Sequence, residues 1–411
     1  MQAEIISIGD ELLIGQTINT NAAWMGQELS KIGVDVHQTN VITDDKKHII
    51  STLNDSRKRV DLILITGGLG PTNDDITKYT LAEYFHSGMR EDPEVLAGVR
   101  QRLKARNLEI NDLNRMQAQV PENAKIFLNK WGTAPGMWFE EGDTVFISMP
   151  GVPTEVKGLM TTYVLPAIKK KFQPPEIIHR TLLTIGTIEA KLADMLKDFE
   201  AQLPPEIKMA YLPSTPIIKL RLSARGADRI RLNTLLNEQE SALRQIIPEY
   251  IFGKEPDTLE EIVGVLLKKK KASLSTAESC TGGNIARLIT SVPGSSEYYI
   301  GSTVAYAYEA KTKALGVNKQ ILEKQGAVSK EVVQQMARGA QELFGTNYAI
   351  AVSGIAGPGG ATPDKPVGTT WIAIASPEGI QAFSFHFGMD RKGNIHRASL
   401  TALNLLRKAL I

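Results

Sequence analysis

Apolar runs and helical patterns alternate over the first 170 or so residues of the chain. Three runs are rich in aliphatic residues, at positions 3–9, 61–68 and 144–151, and residues 34–41 show the pattern of a further strand. A helical pattern starts near Asn21, between the first two runs. Buried parallel strands show near-continuous apolar runs, and strands that alternate with helices form βαβ units. The pattern therefore predicts a three-layer α/β domain over residues 1–172, with a mostly parallel sheet.

A different order of elements follows the Pro174-Pro175 pair, which cannot continue a helix and indicates a linker. Residues 177–250 show the pattern of a strand, a helix, two strands and a second helix. The two adjacent strands are separated by a turn that contains Pro213 and Pro216. This order predicts a small α+β domain over residues 176–252.

The alternation of strands and helices resumes after residues 253–257, where a second linker is expected. An amphipathic helix comes first, and the lysine run Lys268 to Lys271 at its end is typical of a solvated face that complements the helix dipole. Further strand patterns lie at residues 272–278, 347–354, 369–376 and 380–388, before a helix at 394–410. The pattern predicts a second α/β domain, with α/β/α layers, over residues 256–411.

Composition narrows the class of protein. The 411-residue chain is 42% hydrophobic and 22% charged, which is typical of a globular protein too long for one core. Its net charge of +2 gives no bulk reason to bind nucleic acid or an anionic membrane. The single cysteine excludes an internal disulfide and fits a reducing compartment. The chain shows no membrane-spanning run and no signal-peptide pattern, so a cytoplasmic protein is expected.

Two polar loops follow predicted strands of the first domain. One carries the adjacent acids Asp10 and Glu11, and the other has a glycine-rich turn before Asp74 and Asp75. Glycine-rich turns that enter a helix present N–H groups to anions. Acids beside a phosphate repel it unless a divalent cation lies between them, so the loops predict a metal–phosphate site with Mg²⁺ or Mn²⁺. The alternative is that these acids only cap helices or form turns.

The stretch TAESCTGG places Ser279 and the only cysteine, Cys280, ahead of two glycines. A strand leads into it and a helix is expected from about Thr281, which would leave the N–H groups of Thr281, Gly282 and Gly283 free. These groups would form an oxyanion hole for an attacking serine. Alternatively, Ser279 caps the helix. Cys280 is the other possible nucleophile, although a lone cysteine is more often a buried apolar residue.

A serine nucleophile needs a base. The stretch TVAYAYEAKTKALG offers Tyr306, Tyr308, Lys311 and Lys313. A lysine is a base only if burial or a nearby cation lowers its pKa from about 10.4 to about 7–8, and otherwise it is a surface charge. The loop SGIAGPGG suits a phosphate or is a simple Gly-Pro turn. Arg391 begins the last helix, where its guanidinium would pair with a phosphate or orient the lysine.

Several segments resemble the signature motifs of the CinA family, which is named for competence and damage inducibility. They are GDELLIG, TGGLGPTNDD, NRMQAQVPENA, GTAPGM and MPGVPTE in the first domain, and AESCTGG, VAYAYEAK, GAVS and SGIAGPGG in the last. The resemblance covers essentially the whole chain, in order. It implies a MogA/MoaB-like first domain similar to molybdopterin-binding domains, a KH-type middle domain, and a last domain similar to nicotinamide mononucleotide deamidases.

For the first domain, the resemblance implies a divalent-metal-dependent ADP-ribose pyrophosphatase that yields AMP and ribose 5-phosphate, with Mg, Mn or Co as the metal. The acidic motif positions, where the metal ligands are expected, are Asp10, Glu11, Asp74, Asp75 and Glu155. The expected substrate-binding positions are Gly67, Gly68, Gly70 and Thr72. Molybdopterin binding is the alternative for this domain.

For the last domain, the resemblance implies a Ser–Tyr–Lys amidase that needs no metal and converts nicotinamide mononucleotide to nicotinate mononucleotide and ammonia. Ser279 would attack the carboxamide carbon and Lys311 would be the general base. Tyr306 would relay a proton or position the lysine. Substrate is expected to contact Thr281, Gly282, Gly283, Ser353, Gly354, Gly357 and Arg391.

The middle domain lacks the GXXG loop of RNA-binding KH modules, so a spacer or dimerisation role is expected. The whole chain would then be a bifunctional hydrolase of pyridine-nucleotide salvage, and the family resemblance favours a homodimer. Two alternatives stay open: only one activity is retained, or the chain is a non-catalytic adaptor in DNA uptake or repair. The departures from the family motifs, Ala307-Tyr308 and Asn19, touch none of the residues assigned to catalysis.

Overall fold

The computed structural model describes residues 1–72 and 75–411. The chain divides into two compact units, one of residues 1–178 and 224–233 and the other of residues 179–223 and 234–411. Within the described residues, no helix combines the length and the apolar character that crossing a bilayer requires.

A six-stranded sheet lies at the centre of the first unit. The strands are β1 (Gln2–Ile8), β2 (Asp35–Ile42), β3 (Leu62–Thr66), β4 (Met89–Glu91), β5 (Gln119–Pro121), β6 (Lys125–Phe127), β7 (Gly136–Glu141) and β8 (Thr144–Met149). The sheet order is β2-β1-β3-β8-β7-β6, in which the first four strands are parallel and the last two run antiparallel to their neighbours. Strands β4 and β5 pair separately. Every residue of β3 and β8 is buried, which explains their continuous apolar runs.

Helices cover both faces of this sheet. They are α1 (Asp10–Leu13), α2 (Thr20–Lys31), α3 (Lys46–Ser56), α4 (Thr77–Tyr84), α5 (Pro93–Ala105), α6 (Asp112–Met116), α7 (Pro153–Leu159) and α8 (Leu165–Phe172), with a π-helical segment at Met160–Val164. Side chains of β3 alternate between two cores. Leu64 belongs to one core with Leu29 of α2, and Ile63 belongs to the other with Leu53 of α3. The predicted three-layer α/β arrangement is confirmed.

A small α+β arrangement follows. Its elements are β9 (Glu176–Ile185), α9 (Glu189–Ala201), β10 (Ile207–Ser214), β11 (Ile217–Gly226), α10 (Arg229–Ile246) and β12 (Ile251–Lys254). The sheet order is β10-β11-β9-β12, and β12 is antiparallel to β9. The predicted order of strand, helix, two strands and helix is confirmed, and β12 is an additional edge strand.

The C-terminal part of the second unit is built on a five-stranded sheet. Its strands are β13 (Leu274–Glu278), β14 (Tyr299–Val304), β15 (Tyr348–Gly354), β16 (Thr369–Ser376) and β17 (Gly379–His386). The order is β14-β13-β15-β16-β17, with the first three strands parallel and the last two antiparallel to their neighbours. The chain passes from β13 to β14 on one side and then returns past β13 to β15. Such a reversal opens a crevice at the carboxyl ends of the strands.

Helices lie on both faces of this second sheet. They are α11 (Leu259–Lys270), α12 (Asn284–Thr290), α13 (Tyr308–Leu315), α14 (Lys319–Gln325), α15 (Lys330–Phe344) and α16 (Arg391–Leu410), with a 3₁₀ turn at Ser295–Glu297. Adjacent residues of β15 enter separate cores, Ile350 with Leu403 of α16 and Ala351 with Met336 of α15. The α/β/α layers predicted for this region are confirmed.

Candidate active sites

The crevice at the ends of β13 and β15 holds a cavity of about 240 Å³. Its lining includes Ser279, Cys280, Tyr306, Lys311, Val328, Ser353, Gly354, Ala356, Gly357, Gly359, Gly360 and Arg391. Ser279 follows β13, Tyr306 follows β14, and the glycine-rich loop follows β15. The three parallel strands therefore bring residues from three distant stretches of the sequence to one edge of the sheet.

Lys311 and Ser279 form the polar centre of this cavity. The lysine is 0% exposed, and its Nζ atom donates to Ser279 Oγ at 2.9 Å, to Ala305 O at 2.6 Å and to Tyr306 O at 3.2 Å. Burial lowers the pKa of Lys311 to about 8. The neutral amine can give its two hydrogens to the carbonyls and accept the hydroxyl hydrogen of Ser279. This geometry suits a lysine base beside a serine nucleophile.

The Tyr306 side chain is 59% exposed and lies at the mouth of the cavity. Its Oη atom accepts a hydrogen bond of 2.9 Å from Nη2 of Arg391. Its carbonyl oxygen, rather than its hydroxyl, contacts Lys311. Of the two roles expected for Tyr306, these contacts suit positioning of the lysine better than relay of a proton.

Arg391 places a cation at the opening of the cavity. Its Nη1 atom donates to Gly357 O at 2.7 Å, and its Nη2 atom bonds Tyr306. No carboxylate pairs with this guanidinium in the residues that the structure describes. An anionic group of a ligand could therefore approach it without displacing an internal ion pair.

The loop after β15 is anchored by α16, and four of its N–H groups have no acceptor among the described residues. Asn394, which is buried in α16, donates to Ala356 O at 3.0 Å. Across residues 1–72 and 75–411, no acceptor is bonded to the N–H groups of Ala356, Gly357, Gly359 or Gly360. Gly357 and Gly360 adopt φ values of +91° and +89°, which favour glycine. The loop is thus a concave set of donors suited to a phosphate, as predicted for it.

Ser353 lines the cavity, but its hydroxyl is committed to the protein. Its Oγ atom donates to Ala327 O at 2.7 Å, and the side chain is buried. We therefore assign Ser353 to holding the GAVS segment in place, not to donating to substrate.

The turn from Ser279 to the next helix differs from the prediction. Helix α12 begins at Asn284, with Gly283 as its N-cap, so the alternative that Ser279 caps this helix is wrong. The N–H of Gly282 donates to Ser279 O at 3.1 Å, and that of Gly283 donates to Glu278 Oε2 at 3.0 Å. The expectation that these two groups are free for an oxyanion hole is therefore also wrong.

The two residues that directly follow Ser279 provide other N–H donors. Among the described residues, no oxygen accepts from the N–H groups of Cys280 or Thr281. The Cys280 thiol is 7% exposed, and burial raises its pKa to about 12. A thiol that stays protonated is a poor nucleophile, so the geometry favours the serine.

A second cavity, of about 600 Å³, lies at the carboxyl ends of β1, β3 and β8. Its lining includes the predicted residues Glu11, Gly67, Gly68, Gly70, Asp75 and Glu155. Asp10 is not among the lining residues, although it precedes Glu11 in α1. Asp74 lies outside the described residues. Asp44, just beyond β2, also lines the cavity and was not predicted from the sequence.

The glycine-rich loop of this cavity packs closely on its neighbours. A Cβ atom on Gly67 would lie 2.1 Å from Ile8 O, and one on Gly68 would lie 2.1 Å from Thr77 Oγ1. Thr72 does not contact the cavity directly but holds Asp75, whose Oδ2 accepts its N–H at 3.0 Å. Helix α4 has Ile76 as its N-cap, without a side-chain bond, so the alternative that Asp75 caps it is wrong.

Carboxylates line this second cavity, but those of the described residues do not form a complete set of metal ligands. Within residues 1–72 and 75–411, no group of three or more His, Cys, Asp or Glu converges as a metal centre does. Mg²⁺ is commonly held by one or two carboxylates together with substrate phosphates. Among the described residues, Thr77 Oγ1 is buried without a hydrogen-bond partner, and the position beside Gly68 that it faces is also close to Asp44 Oδ1. These oxygens fit a hard cation that binds together with a phosphate.

The surroundings of Glu155 differ from those of the other acids that line the cavity. Its Oε2 atom accepts a hydrogen bond of 2.6 Å from Asn129, and a Cβ atom on Gly132 would overlap the carboxylate. Burial raises the pKa of Glu155 above its ordinary value. One side of this carboxylate thus packs against Asn129 and Gly132, and the other side lines the cavity.

The fold and the two cavities define a multidomain α/β protein with two separate candidate ligand sites. Its sequence matches the family models described as "Probable molybdopterin binding domain" at residues 4–170, "Damage-inducible protein CinA KH domain" at 179–253, and "CinA C-terminal domain" at 256–410. The chain belongs to the CinA family. This confirms the molybdopterin-binding-like, KH-type and CinA C-terminal domains that the motifs implied.

Relatives match along their full length. A CinA-like protein of Flavobacterium psychrophilum is 46% identical over 413 residues, covering 100% of this chain and 99% of its own. A CinA-like protein of Cytophaga hutchinsonii is 43% identical and covers 99% of this chain and 98% of its own. The crystal structure of the competence/damage inducible protein CihA from Agrobacterium tumefaciens is 38% identical, with a TM-score of 0.36, over 37% of this chain and 93% of that one.

Proposed function

We propose that the C-terminal domain hydrolyses the carboxamide of nicotinamide mononucleotide to give nicotinate mononucleotide and ammonia. The observation that carries this proposal is the contact of 2.9 Å between the buried amine of Lys311 and the hydroxyl of Ser279. A lysine with a pKa of about 8 is partly neutral near physiological pH and can take a proton from a hydroxyl.

The chemistry proceeds in two balanced steps. Ser279 Oγ attacks the carboxamide carbon while its proton passes to Lys311, and the C–N bond then breaks as Lys311 returns that proton to the leaving ammonia. Water attacks the resulting ester and gives a proton to Lys311, which passes it to Ser279 Oγ as the ester C–O bond breaks; the carboxylic acid product then loses its remaining proton to solvent. The N–H of Cys280, the residue after the nucleophile, is the best-placed donor for the oxyanion.

The hydrogen-bonding state of the N–H groups supports one orientation of the proposed substrate. Of the two glycine-rich segments in the cavity, the turn after Ser279 has its Gly282 and Gly283 donors occupied, whereas the loop at residues 354–360 has unused donors. Arg391 lies beside that loop and adds a positive charge. The phosphate is therefore assigned to the loop and Arg391, and the carboxamide to Ser279.

The decisive experiment measures ammonia release from nicotinamide mononucleotide by the native chain, Ser279→Ala and Cys280→Ala, with and without EDTA. The proposal expects release from the native chain and from Cys280→Ala, none from Ser279→Ala, and no effect of EDTA. Activity that survives in Ser279→Ala, or a folded native chain that releases no ammonia, contradicts it.

For the N-terminal domain, the proposed reaction is metal-dependent hydrolysis of ADP-ribose to AMP and ribose 5-phosphate. It is supported by the cavity of about 600 Å³, where Glu11, Asp44 and Asp75 lie beside a glycine-rich loop. A divalent cation, when bound, would neutralise the pyrophosphate and polarise its phosphorus atoms. The chain's own contribution is to hold the pyrophosphate on the loop N–H groups and to orient the carboxylates through Thr72 and Asn129.

Molybdopterin binding is the second candidate for this cavity, because the matching family model describes such a domain. The two are separated by incubating the chain with ADP-ribose and Mn²⁺ and measuring AMP, and by titrating it with molybdopterin. Formation of AMP that EDTA abolishes supports the pyrophosphatase. Tight pterin binding without formation of AMP overturns it.

A further inference from the structure

Glu278 is a buried carboxylate beside the proposed nucleophile, and the chemistry described above does not use it. It ends β13 and is 0% exposed. Its Oε2 atom accepts from the N–H groups of Gly283 at 3.0 Å and Ile285 at 3.1 Å, and its Oε1 atom accepts from Ala286 at 2.8 Å. Among the described residues, no side-chain cation pairs with it. Three backbone donors at the start of α12 thus balance a fully buried negative charge.

The backbone around Glu278 is fixed by the sheet. Glu278 O accepts from Ala305 N at 2.9 Å, and Ser279 N donates to Val352 O at 3.0 Å. The nucleophile is therefore anchored on one side by β14 and β15 and on the other by a turn that leads into α12. That turn can close tightly because Gly282 and Gly283 adopt φ values of +60° and +93°.

We infer that Glu278 is a positioning residue that fixes the turn carrying Ser279 and so holds its Oγ atom against Lys311. The inference rests on the proposed amidase function. Glu278 is the last residue of β13, and its side chain accepts hydrogen bonds from Gly283 and from Ala286 in the first turn of α12. These bonds join the strand to the helix and so close the turn that carries Ser279. Without these bonds the turn has no other side-chain tie to α12 in the described part of the chain.

The carboxylate has a second consequence for ligand binding. Its three hydrogen bonds occupy the N–H groups of Gly283, Ile285 and Ala286, so these donors are not open to a phosphate. Glu278 therefore leaves the loop at residues 354–360 and Arg391 as the cationic side of the cavity. Glu278 thus favours one orientation of the bound substrate as well as one position of the nucleophile.

The test compares Glu278→Gln with Glu261→Gln as a matched control. Gln is isosteric, but its NH₂ group would face a backbone donor and lose at least one of the three bonds. Glu261 also serves a helix N-terminus, that of α11, where it accepts from Thr258 N at 2.9 Å, but it lies outside the cavity. The kcat and KM for nicotinamide mononucleotide are measured for each variant, with the melting temperature.

A second readout does not depend on the substrate. A fluorophosphonate reports the reactivity of Ser279 directly, because the serine Oγ attacks phosphorus, fluoride leaves and the hydroxyl proton passes to Lys311. In Glu278→Gln, kcat and the labelling rate are expected to fall about 10- to 100-fold, since a displacement of the nucleophile by about 1 Å costs that much. KM should stay within about threefold, and Glu261→Gln should change none of these values.

Glu278→Asp provides a second variant, since it keeps the charge but is one methylene too short to reach the same donors. It is expected to show the same loss of kcat and of labelling. The inference is overturned if a folded Glu278 variant keeps kcat and labelling within about twofold of the native chain. It is also overturned if kcat falls only in step with melting temperature, and equally in Glu261→Gln.

Failure of the proposed substrate is distinguishable from failure of this inference. If the native chain is labelled at Ser279 but releases no ammonia from nicotinamide mononucleotide, the substrate assignment fails, and the labelling rates still decide the role of Glu278. If Ser279 of the native, folded chain is neither labelled nor active, both proposals are overturned.

Discussion

The Nζ atom of Lys311 lies 2.9 Å from the Oγ atom of Ser279, although the two residues are 32 positions apart in the chain. They meet because β13 and β14 are parallel neighbours, so that Ser279 and the helix α13 leave the sheet at the same edge. The surrounding structure removes Lys311 from water and gives its amine two carbonyl acceptors. The following predictions test what this contact does.

Replacement of Lys311 by Met should lower kcat for deamidation about 100- to 10,000-fold, because the general base is lost. Lys313→Met is the matched control, since Lys313 lies on the same helix but is exposed. Ammonia release by the two variants makes the comparison. A Lys311→Met variant that is folded and as active as Lys313→Met would exclude the lysine as the base.

The pH dependence of kcat/KM should follow the protonation of the same lysine. Burial lowers the pKa of Lys311 to about 8, and only the neutral amine accepts a proton. Below that pH, kcat/KM should rise about tenfold per pH unit, and above it should level off. Initial rates measured from about pH 6 to pH 10 show the profile. A profile that falls between pH 6 and 8 would require an acid, not this base.

Replacement of Arg391 by Met should raise KM for nicotinamide mononucleotide about 10- to 100-fold, which is the cost of losing a charge-assisted hydrogen bond to phosphate. Nicotinamide riboside, which lacks the phosphate, should be hydrolysed equally well by both proteins. Lys392→Met, at the neighbouring exposed position, is the control. An equal loss with both substrates would assign Arg391 to holding Gly357 and Tyr306 instead.

The two cavities should be chemically independent. Asp75→Asn and treatment with EDTA are expected to abolish formation of AMP from ADP-ribose and to leave ammonia release unchanged, because none of the described residues lines both cavities. Ser279→Ala should show the reverse pattern. Both assays are run on the same preparations of the full chain, so loss of both activities in either variant would reveal a general folding defect or coupling between the sites.

Much of the fold follows from simple patterns in the sequence. Strands β3, β8 and β15 are buried along nearly their whole length, so their apolar runs identify them directly. Strand β14 is only partly buried and has no such run, which is why it was not predicted. Helix α15 was omitted although its apolar face, with Val333, Met336 and Ala340, is visible in the sequence.

The candidate site was predictable to the extent that single side chains carry its chemistry. Ser279, Lys311 and Arg391 were all proposed from motifs, and the structure brings them to one cavity. What could not be predicted is which donors are already used. The N–H of Gly283 is taken by Glu278, a contact that depends on the path of a turn and not on residue type. Asp44 was missed although it forms an acid pair with Asp45 just after a strand, the same pattern that singled out Asp10 and Glu11.

The sheet order of the C-terminal domain also determines when the site can exist during synthesis of the chain. Ser279 is fixed by Val352 of β15, and Arg391 arrives only with the last helix. A nascent chain that has already produced Ser279 and Lys311 still lacks the strand that anchors the serine and the cation proposed to receive the phosphate. The site proposed for amide hydrolysis is thus completed only when the last helix has been made, so a truncated product of the ribosome would carry Ser279 and Lys311 without that site.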